Sequence, residues 1–158
     1  MAHMRIIVHS DYSIGVHVTL PAINLLAVLL ATVAAFVVGF IWFGPKTFFP
    51  IWWRSLGKDG DPGDGGNMGV VFGLTILGSV VQAIALSFVI GWVQLAGNDV
   101  TWFTGAIVGL IIGIGIAAAS SLGHRLFAGQ GFVVWLIEAG GDIAALTVMG
   151  AVIGAVIS

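Results

Sequence analysis

Glu138 and Asp142 have the strongest claim to chemistry in this chain. They stand four residues apart in a stretch, 132–157, that is otherwise uncharged and mostly apolar. In a helix that spacing puts both carboxylates on one face, one turn apart. Ala145 and Met149 continue the face, while Gly140, Thr147, Gly150 and Gly154 fall roughly opposite. Ionisable side chains inside apolar helices are costly and by default mark function. Two carboxylates so close in a low-dielectric medium need a partner. Gln82, His124 and Arg125 are the candidates. With a helix starting at Phe132, Glu138 lies roughly 9 Å along it and Asp142 roughly 15 Å, near the midplane. At those depths Glu138 could meet His124 or Arg125, and Asp142 could meet Gln82. Three readings stay open. Asp142, Glu138, Gln82 and His124 could form a proton- or cation-linked site. They could be a buried polar cluster that fixes helix register, since interhelical polar contacts contribute about 0.6–2 kcal/mol. A partner protein could complete the site.

Other chemistry is weaker. Ser120 and Ser121 lie within one turn of His124, the spacing of a nucleophile and a base. Along one helix that spacing seldom aims a hydroxyl at an imidazole. No metalloprotease, hydrolase or phosphate-loop motif occurs. A non-enzymatic protein without a cofactor is expected. His3, His9 and His17 fit no zinc spacing. Asp59, Asp61 and Asp64 resemble the start of a calcium loop, but Val70 stands where its Glu belongs. No metal site is expected.

The elements that position these residues follow from composition. The chain has 158 residues, of which 8% are charged and 59% apolar, with no Cys and a net charge of −2. Its mean hydropathy is +1.13. A soluble domain carries about 25% charged residues, so a soluble enzyme and a disordered chain are both excluded. The charge gives no grip on a phosphate backbone, so nucleic acid is excluded as a partner. Disulfide and thiolate chemistry are excluded too. Four runs are long enough to cross a bilayer: 20–43, 68–93, 100–123 and 132–157. They lack the period-2 alternation of a membrane barrel. The six Trp residues support the count. Trp42, Trp52, Trp53, Trp92, Trp102 and Trp135 all fall at or beyond span ends, where Trp favours the headgroup level.

Loop charge sets the orientation. Lys46, Arg54, Lys58 and Arg125 fall on one side, and Arg5 alone on the other. Loops 44–67 and 124–131 are therefore expected in the cytoplasm, with both termini outside. Residues 1–19 read as an exposed tail, residues 20–158 as one four-span domain, and the Gly/Asp-rich stretch 57–67 as a flexible linker. The segment 45–57 carries aromatics between Lys46 and Arg54, a pattern suited to the headgroup boundary.

Small residues recur every fourth position, which lets membrane helices approach closely. Ala27, Ala31, Ala35 and Gly39 do so in the first span, and Ser79, Ala83, Ser87 and Gly91 in the second. Gly105, Gly109, Gly113, Ala117 and Ser121 follow in the third, and Gly150, Gly154 and Ser158 in the fourth. The spacing alone does not separate contacts within the chain from contacts between chains.

Several motifs carry a family likeness. The first span opens Ile23-Asn24 and closes Gly39-Phe-Ile-Trp42-Phe43-Gly44-Pro45, followed by Phe49, Trp53 and Gly57. Leu126-Phe127-Ala-Gly129, Ile137-Glu138-Ala139-Gly140 and Met149-Gly150-Ala-Val-Ile-Gly154 come later. Over 23–57 and 124–154 the chain resembles a bacterial family of small four-span membrane proteins, domain-of-unknown-function family 1761. The resemblance implies a four-helix integral membrane protein and no activity. The combined expectation is an all-α bundle in a bacterial inner membrane. It would be a non-catalytic protein in the lipid bilayer, a homo-oligomer or a companion of other membrane subunits. The alternative is a small proton- or cation-linked transporter or channel component that uses the acidic face.

Overall fold

The computed structural model describes residues 19–59 and 67–158. His3, His9 and His17, most of the expected tail, and Asp61 and Asp64 of the linker lie outside the described residues. Among the described residues the fold is all helical. The helices are α1 (Leu25–Trp42), the short α2 (Phe49–Ser55), α3 (Met68–Leu95), α4 (Trp102–Phe127) and α5 (Phe132–Ile157). All but α2 are long and apolar enough to cross a membrane.

Local chemistry sets the boundaries. The first span starts at Leu25 rather than at residue 20, because the Asn24 side chain accepts from the Leu26 and Ala27 amides and caps the helix there. Asn67 caps α3 in the same way and Thr101 caps α4. The third span extends past residue 123 to Phe127, and Gly129 then turns the chain with φ +72°. Within α4, residues Gly113–Ala118 form a π-helical turn. Hydrophobic spacing does not reveal such a turn.

α5 is the central helix, flanked by α4 and α1, with α3 packed on its second half. Between α4 and α5 the backbones touch. A Cβ on Gly105 would strike the Gly150 carbonyl, and one on Gly109 the Leu146 carbonyl. A Cβ on Gly150 would strike the Gly105 carbonyl, and one on Gly154 that of Thr101. A Cβ on Gly113 would come within 2.9 Å of Ile143 Cα. These glycines thus meet one another within one chain, and dispersion across the seam replaces the hydrophobic drive that lipid does not supply. Ala27, Ala31, Ala35, Ala83, Leu86, Ile90, Leu146, Met149 and Ile153 form the buried core. Gly91 packs on Pro21, whereas Gly39 has no neighbour that a Cβ would meet. Leu26, Leu29, Val33, Phe40 and Ile111 point outward and stay exposed, as lipid-facing residues do.

Candidate functional site

The polar site lies where α2, the end of α4 and the start of α5 converge. Glu138, on the second turn of α5, is its hub. Its Oε1 accepts a hydrogen bond from the Trp52 indole Nε1 at 2.9 Å. Its Oε2 lies 2.7 Å from Arg125 Nε. The guanidinium N–H is not aimed at that oxygen, so the contact is an ion pair, and Oε2 stays sequestered without a directed hydrogen bond. Arg125 turns its Nη1 to Gln130 Oε1 at 3.1 Å. One carboxylate thus ties together α2, the end of α4 and α5. The side chains are 42% exposed at Arg125 and 19% at Glu138, so this is a partly screened pair.

A second fastening lies one step away. The Trp42 indole donates to the Ile137 carbonyl at 2.9 Å. Its ring lies over Gly140 and Gly141, where an added Cβ would stand 2.7 Å and 3.1 Å from it. Trp42 also meets Phe48, and Phe43 meets Trp52 edge-on, so α2 is held by a cluster of rings.

The structure brings Glu138 and Arg125 together and leaves the other candidates apart. Asp142 is exposed and makes no hydrogen bond or ion pair among the described residues. The charges that act on it are Glu138, one turn earlier, and Arg125. Gln82 is exposed and has no bond to Asp142. Geometry explains the separation. α3 and α5 run parallel, and Gln94 of α3 reaches the Ile157 carbonyl. Counting back at equal rise sets Asp142 level with about Ser79, so Gln82 falls roughly a turn deeper. Ala83, its neighbour, takes the buried position. His124 is exposed at the end of α4. Ser120 and Ser121 donate to the carbonyls of Ala117 and Ala118, not to His124.

Asp142 also lies close to the level at which α1 ends. α1 has 18 residues, about 27 Å, close to the hydrocarbon thickness. Its last residue, Trp42, is level with Ile137–Gly141 of α5. Asp142, which follows Gly141 directly, therefore lies just past that level along α5. On α5 it shares a stripe with Met149, which is fully buried. The stripe is sealed where Ala83, Leu86 and Ile90 of α3 pack. Above them residues 68–78 of α3 are all exposed, and the stripe is open at Asp142.

Of the other Trp residues, Trp92 donates to the Thr19 carbonyl and is half exposed, and Trp102 is exposed. Trp53 lies under Lys58. Trp135 donates its indole N–H to the Ala118 carbonyl at 3.1 Å. That carbonyl ends the π turn, where the ordinary helical ladder is interrupted. Sequence reading set these Trp residues at the headgroup level and did not foresee these indole bonds. One signal was present: the Gly140-Gly141 pair on a helix face is the kind of seat a large ring requires.

A family model described as "Protein of unknown function (DUF1761)" matches residues 26–154. No curated protein and no solved structure matches the chain.

Proposed function

The chain belongs to the DUF1761 family, and from that premise and the geometry of Glu138 and Asp142 we propose a small, non-catalytic membrane subunit. It works by self-association or as an accessory of a larger membrane assembly. We place it in the cytoplasmic (inner) membrane, with loops 44–67 and 124–131 in the cytoplasm and both termini outside.

One observation carries this reading: Glu138 is consumed in holding three segments together, while Asp142 is exposed and has no hydrogen-bond or ion-pair partner among the described residues. A carboxylate on a membrane helix is stable only against water, a cation or a partner's polar group. A neighbouring subunit seated on the open stripe supplies that group. The same exposure favours a second reading, a proton- or cation-linked transporter or channel component in which Asp142 is the working carboxylate.

The test is native mass spectrometry of the gently extracted particle, wild type beside Asp142→Asn. A defined oligomer or hetero-complex that dissociates in the variant supports the assembly reading. A wild-type particle that is always a lone monomer overturns it. An intact assembly whose ion or proton flux in liposomes is abolished by Asp142→Asn selects the transporter.

A further inference from the structure

The first loop holds a second site, independent of the acidic stripe. α2 ends in a tight left-handed turn. Gly57, at φ +68°, donates to the Arg54 carbonyl, and Lys58 donates back to the Trp53 carbonyl. The turn folds Lys58 over its own helix, so its ammonium sits 4.9 Å from the centre of the Trp53 ring. The Arg54 guanidinium stands beside it and makes no hydrogen bond or ion pair among the described residues. Phe49, Pro50, Trp53, Arg54, Lys58 and Asp59 line a pocket of about 390 Å³. Two cations and one carboxylate leave it one net positive charge.

We propose that this pocket seats the phosphodiester of an anionic phospholipid. Arg54 offers a planar fork that matches phosphate oxygens, and Lys58 adds a point charge already held in place by Trp53. One net positive charge suits a singly charged diester better than a free dianion. The position suits a lipid too. Trp52 fastens α2 to Glu138, next to Ile137, which takes the bond from Trp42 at the end of the first span. Phe48 and Ile51 remain exposed on the same segment, available to acyl chains. Basic pockets beside spanning helices recognise headgroups by this chemistry.

The experiment uses the full chain in nanodiscs of equal phosphatidylcholine and phosphatidylglycerol, with retained lipids counted by native mass spectrometry. Wild type keeps phosphatidylglycerol selectively. Arg54→Gln/Lys58→Gln lowers that retention about 30-fold, roughly fivefold for each cation lost. Asp59→Asn raises it, a gain that misfolding cannot produce. Lys46→Gln, in the same loop but outside the pocket, leaves it unchanged. Equal retention by the double variant, or no gain in Asp59→Asn, overturns the proposal. So does an equal loss in Lys46→Gln, which makes the attraction a diffuse surface effect. Displacement of the lipid by millimolar inorganic phosphate assigns the pocket to free phosphate and overturns the lipid.

Discussion

The Trp52 indole and the Glu138 carboxylate are joined by a 2.9 Å hydrogen bond across 86 positions of sequence. This bond fastens the seven-residue α2 to a spanning helix. It also separates two effects that one substitution could confuse. Glu138→Gln keeps an acceptor for Trp52 and removes the charge opposite Arg125. A pair this exposed contributes about 1 kcal/mol. Glu138→Ala also leaves the indole N–H unmatched, and the total rises to about 2–3 kcal/mol. Thermal unfolding in detergent is expected to rank wild type above Gln and Gln above Ala. Equal melting of all three would show that α2 is held by its ring contacts alone.

The glycine seam gives a sharper contrast. A methyl at Gly109 would meet the Leu146 carbonyl, which belongs to a helix backbone and cannot step aside. Gly109→Ala is expected to cost about 3 kcal/mol or more. At Gly140 the obstacle is the edge of the Trp42 ring, 2.7 Å from an added Cβ, and a ring can tilt. Gly140→Ala is expected to cost about 1–2 kcal/mol. Gly78 has open space around it, so Gly78→Ala should gain up to about 1 kcal/mol from helix propensity. Melting temperatures of the three variants test the order.

Different parts of this architecture are legible to different degrees from residues alone. The spans are visible because uncharged length is a one-dimensional property, and Asn24, Asn67 and Thr101 adjust only their ends. The meeting of Arg125 with Glu138 is also readable, because both lie beside the short third loop. Gln82 is not readable in this way. Depth along a helix can be counted, but rotation about the axis and departure from the bundle depend on how α3 packs. The indole bonds of Trp42, Trp52 and Trp135 are hidden for a similar reason. A Trp at a span end serves the headgroup level or a neighbouring carbonyl equally well, and only the packing decides.

The π turn of α4 ends at a carbonyl that accepts one such bond. Trp135 and Ser121 both donate to the Ala118 carbonyl at the end of the turn. Trp135→Phe removes the indole donor and keeps an aromatic ring beside Phe132. The expected loss is about 1 kcal/mol. Amide hydrogen exchange should rise around residues 113–121 while the α4–α5 glycine seam stays protected. Unchanged exchange in that stretch would mean that the backbone holds the π turn without Trp135.

Orientation can be read directly, because the chain has no cysteine to interfere. Glu138 contacts both Trp52 and Arg125, so the first and third loops share one end of the bundle. Gln94 reaches Ile157, which sets the second loop and the C-terminus at the other end. Lys46, Arg54, Lys58 and Arg125 all fall at the first end, and cations are retained on the cytoplasmic side. Ala128 and Asn98 are exposed in opposite loops and suit single-cysteine labelling. In intact cells a membrane-impermeant maleimide is expected to label Asn98→Cys at once. Ala128→Cys should react only after permeabilisation. The reverse pattern would invert the protein in its membrane and set the Arg54–Lys58 pocket against the outer leaflet. Labelling of both sites in intact cells would break the four-span count itself, since the single crossing of α4 between these two loops cannot leave both on one side.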